Sequence, residues 1–305
     1  MSIIDQLALY GPEAPERNRP TLDEALAYCR NLARRHYENF TVAHWLLPGA
    51  LRQHFVNVYA YCRWADDLAD EISDPREGLA LLDWWEGELR RCFSGEAEHP
   101  VFVALAETIG EFDLPIDPLA DLLVAFRQDQ QVSRYDTFDE LLDYCRYSAN
   151  PVGRIVLHLG RCSSPQRVEL SDQICTGLQL ANFWQDVSRD YRRGRIYLPA
   201  EDCRRYDYTE DDFAAAHYSP AFRRLMSCEV ERTRHFLQSG GGLVPLMPRE
   251  LQLQIELFVR GGLKTLEAIR RRRYDVWTRR PTLSKMTKLH IFIASWWHVR
   301  QARFE

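Results

Sequence analysis

The sequence predicts an all-α protein, and three observations carry that prediction. Apolar residues recur at helical spacing almost throughout, strand-like alternation is scarce, and helix breakers fall at the joints between periodic segments. In chain order, the segments 21–37 and 50–72 are parted by Pro48-Gly49, and 50–72 and 78–94 by Asp74-Pro75. The segment 98–110 is followed by Pro115 and Pro118, which open 117–131. A long pattern over 137–161 stops at Ser163-Ser164-Pro165, ahead of 166–191. Gly194 and Pro199 close that helix, and Gly240-Gly241-Gly242 closes 219–238. Segments 248–273 and 284–302 complete the chain. Pro151 and Gly153 lie inside a helical pattern and predict a kink. No linker is long or compositionally distinct, and no repeat of solenoid period appears. The expectation is one domain over residues 1–305, built from about ten to twelve helices.

Composition narrows the function classes. The 305 residues include 39 Lys plus Arg against 44 Asp plus Glu, for a net charge of −5. Apolar residues make up 46% and charged residues 27%, enough apolar surface to offset chain entropy, so disorder is excluded. The most apolar late run, Leu289 to Trp297, contains His290 and falls far short of the ~20 residues a membrane span needs. The mild negative charge argues against a nucleic-acid partner. The start, Met1-Ser2-Ile3-Ile4-Asp5, lacks the pattern of a signal peptide. The eight cysteines have no Cys-x-x-Cys pair and no zinc spacing, and are expected as free thiols in a reducing cytoplasm.

Two acidic segments carry the chemistry. In the first, Tyr59, Arg63, Asp66 and Asp70 fall on one narrow stripe of a helix, with Asp67 about a quarter turn away. Carboxylates one turn apart repel, and need a cation between or beside them. Arg63 is one candidate and Mg²⁺ another, since Mg²⁺ takes one or two carboxylates, several waters and phosphate oxygens. A solvated acidic face explains this segment equally well on its own. In the second, offsets of 3, 7 and 11 from Gln179 place Asn182, Asp186 and Asp190 on one stripe. Bulky apolar residues, among them Leu180, Phe183, Trp184 and Val187, flank it. Two such stripes facing each other across a bundle would hold a Mg²⁺ cluster for a diphosphate. The metal would neutralise the leaving group, letting a carbon–oxygen bond ionise without a protein nucleophile. The carbocation then needs a dry aromatic cavity, where each cation–π contact contributes roughly 0.5 to 2 kcal/mol.

These segments, with Asn182 ahead of the second, resemble the squalene/phytoene synthase family of head-to-head prenyl transferases. The resemblance covers roughly residues 20–285. It extends to His36-Tyr37-Glu38-Asn39-Phe40 with Leu46-Leu47-Pro48, to Tyr144 through Gly153, and to Gly194-Arg195-Ile196-Tyr197-Leu198-Pro199. It implies a single-domain helical bundle of the class I isoprenoid synthase type with a central substrate cavity. It implies metal ligation by Asp66, Asp70, Asn182, Asp186 and Asp190, with Mg²⁺ as the cofactor and Mn²⁺ as a substitute. Arg63 is implied as a diphosphate contact and Tyr147 as a catalytic hydroxyl. His36, Phe40, Gln179 and Tyr274 are implied as cavity lining, and Asn39 and Gln185 as polar groups that bind substrate or hold a water.

The chain departs from many family members at three places. Tyr37-Glu38-Asn39 stands where small polar residues are common, Gln185 where Arg often precedes the second acidic motif, and Asn150-Pro151 where a small step is usual. Each departure weakens the case for two diphosphates in one pocket. The pattern resembles the bacterial hopanoid-pathway branch, which converts preformed presqualene diphosphate to hydroxysqualene by ionisation, rearrangement and water capture. No nicotinamide is expected. Two alternatives stay open: a synthase that condenses two farnesyl or geranylgeranyl diphosphates, and a silent helical subunit that binds a prenyl lipid or a partner enzyme. A greasy substrate and product make peripheral membrane contact an expectation, with Trp296-Trp297 as its candidate site, and neighbouring pathway enzymes are expected partners.

Overall fold

The computed structural model describes residues 2–15, 18–35 and 47–301. The described residues contain helices and no strand. By packing, the chain divides into two compact units, 1–131 and 132–305.

The first unit contains α1 (Ile3–Tyr10), α2 (Leu22–Arg35), α3 (Gly49–Asp70), α4 (Pro75–Phe93), α5 (Pro100–Phe112) and α6 (Asp117–Asp129). The centre is α3. It buries Val56, Asn57, Ala60, Tyr61, Trp64, Ala65 and Leu68, which recur at helical spacing. Trp64 stacks on Trp85 of α4 at 5.1 Å and 8°, and the edge of His99 meets both rings. Two of the aromatic residues that α3 buries have their polar atoms paired: the Trp64 indole donates to Tyr28 Oη at 2.9 Å, and Tyr61 Oη donates to the Leu119 carbonyl at 2.8 Å. Asn57 Nδ2 donates to the Ala104 carbonyl at 2.9 Å. These contacts fix the rotation of α3, and so the direction in which Arg63, Asp66 and Asp70 project. Asp74 and His99 cap α4 and α5 by accepting from backbone amides, each with Pro at the first turn.

The second unit contains α7 (Phe138–Ser148), α8 (Asn150–Leu159), α9 (Pro165–Arg192), α10 (Ala200–Arg205), α11 (Glu210–Ala214), α12 (Pro220–Gly240), α13 (Arg249–Arg271) and α14 (Lys285–Gln301). The pattern over 137–161 is not one kinked helix. It is broken at Ala149 (φ −124°, ψ −47°), two residues before Pro151, because Pro151 has no N–H to continue the helical ladder and its ring crowds the carbonyl four residues back, so it is accommodated in the first turn of a new helix. The 28-residue α9 runs through the middle of the unit. It approaches α8, α12 and α13 closely enough that small residues are required. A Cβ on Gly153 would lie 2.2 Å from Ser171 Oγ, and one on Gly177 2.8 Å from Leu237 Cγ. The triple glycine ends the α-helix, as expected: α12 stops at Gly240, and Gly241–Leu246 continues as a 3₁₀ helix. All eight cysteines are free thiols, five of them buried.

Candidate active site

The first acidic segment forms the last two turns of α3. Arg63 is its hub. Its guanidinium lies 3.1 Å from Asp66 Oδ2, makes a short ion pair with Asp67, and approaches Glu71 Oε1 at 3.8 Å. Asp66 is half-buried and Asp70 exposed. Asp67 is buried, and burial pushes its carboxyl up to about 6 against the pull of the Arg63 hydrogen bond and charge. The quarter-turn offset therefore makes Asp67 the internal partner of Arg63, while Asp66 and Asp70 lie nearer the surface.

The second segment occupies the last three turns of α9. Gln179 is half-buried, Asn182 exposed, and Asp186 and Asp190 partly buried. Asp186 is held by Arg280, with Nε to Oδ1 at 2.5 Å and Nη2 to Oδ2 at 2.8 Å. Arg189 Nη1 lies 3.7 Å from the same carboxylate. The Gln185 amide donates to the Pro281 carbonyl. The segment that follows α13 thus grips two adjacent residues of the motif. Sequence reasoning missed Arg280, whose only signal was its place in Arg279-Arg280-Pro281. Asp190 is pushed up to about 6, first by burial and next by the charge of Asp186, against Arg193, Arg195 and Arg280.

The loop after α9 is built to hold Asp190 in place. Gly194 adopts φ +78°, a left-handed turn that glycine takes without cost, and the Arg195 amide returns to the Asp190 carbonyl at 2.9 Å. Tyr197 then stacks on Phe183 of α9 at 3.8 Å and 9°. Ile196 and Ala200 amides donate to the Ser133 and Tyr135 carbonyls at 2.8 and 3.0 Å. Asp190, Arg195, Phe183 and Tyr197 line one small crevice. A larger cavity of about 670 Å³, lined by Tyr10, Tyr28, Trp84 and His99 among others, contains none of the motif residues.

The remaining expectations fall as follows. Tyr147 is half-buried in the last turn of α7, with the Arg146 guanidinium 5.6 Å from its ring centre. Tyr274 accepts from Ser227 Oγ at 3.1 Å and sits at φ +67°, next to Arg273 at φ +54°. Two consecutive left-handed non-glycine residues are a strained arrangement, the kind found at functional sites. His36, Asn39 and Phe40 lie outside the described residues.

The donors suit Mg²⁺. They are carboxylate and amide oxygens, and a divalent cation would favour the charged form of Asp190, which burial first and the Asp186 charge next disfavour. Among the described residues, no three His, Cys, Asp or Glu side chains converge as a closed cage. Mg²⁺ does not require one, since it keeps waters and takes phosphate oxygens.

Helices, aspartate-bearing stripes and intervening loops define an all-α chain of the isoprenoid synthase type. The chain belongs to the squalene/phytoene synthase family, whose model matches residues 33–287. It is 45% identical to the squalene synthase HpnC of Alicyclobacillus acidocaldarius, whose crystal structure superposes with a TM-score of 0.80 over 83% of this chain and 95% of that one. It is 36% identical to a hydroxysqualene synthase of Zymomonas mobilis over 67% of this chain and 69% of that protein. It is 32% identical to a phytoene synthase of Arthrospira platensis over 88% of this chain and 93% of that protein. The family acts on prenyl diphosphates.

Proposed function

We propose that this chain ionises presqualene diphosphate, rearranges the cation and lets water capture it, releasing hydroxysqualene and diphosphate. The observation that carries this reading is the second motif. Asn182, Asp186 and Asp190 are all present, yet the residue before Asp186 is the neutral Gln185, its amide committed to Pro281. Similarity to a squalene synthase HpnC and to a hydroxysqualene synthase supports it.

In this proposal Asp66 and Asp70 hold Mg²⁺ from α3, and Asn182, Asp186 and Asp190 from α9. Mn²⁺ would take the same donors. When bound, the metal supplies the positive charge that lets diphosphate depart. Arg63 adds a cation beside Asp66, held in reach by Asp67. Arg280 orients the Asp186 carboxylate. The Tyr147 hydroxyl donates to an oxygen of the departing group or of the capturing water. Gln179 and Tyr274 line the substrate, as do His36, Asn39 and Phe40. The capturing water bonds through oxygen to the cation and gives up one proton, so no hydride and no nicotinamide enter.

A second reading is condensation of two prenyl diphosphates. It is favoured by the extent of the match to the phytoene synthase, 88% of this chain. Product analysis separates the two. Purified protein with Mg²⁺ is offered presqualene, farnesyl or geranylgeranyl diphosphate in turn, without nicotinamide. The proposal expects an alcohol from the first and no coupled product from the others. Phytoene from geranylgeranyl diphosphate would replace it with the second reading.

A further inference from the structure

Helix α14 carries two apolar faces. Ile291, Ser295 and Val299 form the inner one, buried where α14 packs on α13. His298 Nε2, 3.8 Å from Glu256 Oε1, ties the same side of the helix to α13. The outer face carries Met286 (73% exposed), Leu289 (51%), Ile293 (46%), Trp296 (40%) and Trp297 (54%). At ~100° per residue, these five fall within a stripe about 100° wide, opposite the buried face. The other large apolar side chains exposed among the described residues are scattered, one to a helix: Ile4, Leu22, Val124, Val152 and Phe258. Single exposed apolar residues are ordinary; a continuous stripe of five with two tryptophans is not.

Charge says what covers it. No Asp or Glu occurs between Asp275 and Glu305, a stretch that holds Arg279, Arg280, Lys285, Lys288, Arg300 and Arg303. That stretch carries six positive charges, one of them (Arg280) paired with Asp186, in a chain whose net charge is −5. Lys285 and Lys288 are exposed at the start of α14 and Arg300 at its end, where its guanidinium lies 4.9 Å from the Trp296 ring centre. A second copy docking by this face across a two-fold axis would set one basic stretch against another. An anionic surface meets no such repulsion. Tryptophans on an apolar stripe with Lys and Arg at its ends suit the headgroup layer of a bilayer, where aromatic rings sit at the interface and long basic chains reach the phosphates.

We propose that the outer face of α14 docks the protein on an anionic lipid surface. The helix lies along the surface. No helix among the described residues is long and apolar enough to cross a membrane. The inference does not depend on which diphosphate the enzyme takes.

The test is co-sedimentation of the full chain with vesicles of phosphatidylcholine alone or of equal parts phosphatidylcholine and phosphatidylglycerol. Two double variants accompany it, Trp296→Ala with Trp297→Ala, and Lys285→Glu with Lys288→Glu. Helix content and thermal midpoint are followed for each. The lysine pair is exposed, so its replacement leaves the packed face intact should the tryptophan pair disturb folding. The expected result is about tenfold or more tighter binding to the anionic vesicles, weakened by salt, with a loss of about tenfold or more in each folded variant. Equal binding to both vesicle types, no binding by the native chain, or full binding by a folded variant would overturn the proposal. So would a native dimer that the tryptophan replacements turn into monomers while leaving vesicle binding unchanged.

Discussion

The Arg280 guanidinium holds the Asp186 carboxylate through two parallel hydrogen bonds, Nε to Oδ1 at 2.5 Å and Nη2 to Oδ2 at 2.8 Å. The pair joins a residue of α9 to the segment between α13 and α14, 94 positions later. A fork-on-fork pair fixes the plane of the carboxylate as well as its position. It also places a permanent cation on an oxygen pair proposed to bind a divalent one, so the two compete.

Replacing that cation should have two opposite effects. Arg280→Gln should lower the stability of the metal-free protein by about 1–3 kcal/mol, the range for hydrogen bonds to charged groups. The same change should enlarge the stabilisation that Mg²⁺ alone confers, because Asp186 and Asp190 are left facing each other with less compensation. Thermal denaturation with Mg²⁺ and with chelator reads both effects. A Mg²⁺ increment equal to that of the native chain would detach Arg280 from the metal motif.

The aspartates themselves should be indispensable to turnover and dispensable to folding. Asp66→Asn and Asp186→Asn keep side-chain shape and remove one charge each. Neither residue is in the buried core of its helix. Metal-held charge stabilisation amounts to several kcal/mol, so turnover should fall by about a hundredfold or more. Helix content by circular dichroism should be unchanged. Near-normal turnover in either variant would remove that residue from the ligand set.

Glu229 gives a pH signature independent of the site. It is fully buried on α12, 3.6 Å from Arg232 Nη1, while Arg232 spends its fork on Asp202 at 3.0 and 3.3 Å. Burial is the largest influence and pushes Glu229 up to about 8 from an ordinary 4.5, with Arg232 pulling it down and Asp202 adding to the rise. The native state therefore holds a proton that the unfolded chain releases near 4.5. Native stability is unaffected by this group below about 4.5 and declines as pH rises through about 8, by a few kcal/mol in total. Glu229→Gln should flatten that decline and raise the thermal midpoint most at pH 9. A variant whose stability falls with pH as steeply as the native chain would assign the decline to other groups.

Tyr147→Phe retains the ring beneath Arg146 and removes only the hydroxyl. Turnover of presqualene diphosphate should fall by about tenfold or more, with the thermal midpoint within a few degrees of native. An active variant that is less stable by about 1 kcal/mol, the worth of one hydrogen bond, would make Tyr147 a structural residue.

Helical periodicity located every long helix among the described residues, because most of them bury residues at helical spacing. It did not show α1, α10 and α11, of eight, six and five residues, which are too short to repeat a pattern. Gly240 read as a breaker, and α12 does end there, where a Cβ would also meet Ile174 Cγ1 at 2.5 Å. Its small size serves packing as well as termination. Within the site, spacings of three and four residues made the Asn182, Asp186 and Asp190 stripe legible. They also placed Arg63 beside Asp66. Sequence alone did not show that Asp67 is the buried partner of the same Arg63, since that depends on which face of α3 the Trp64 and Trp85 stack turns inward. Arg280 was beyond reach because no local pattern links it to Asp186.

The central claim is that water, not hydride or a second prenyl chain, completes the reaction. Presqualene diphosphate incubated with the purified protein and Mg²⁺ in ¹⁸O-water, without nicotinamide, tests it most directly, with the product read by mass spectrometry. The account predicts hydroxysqualene carrying one ¹⁸O. Unlabelled hydroxysqualene, squalene that forms only when a nicotinamide is added, or no turnover of presqualene diphosphate beside efficient coupling of farnesyl diphosphate would contradict it.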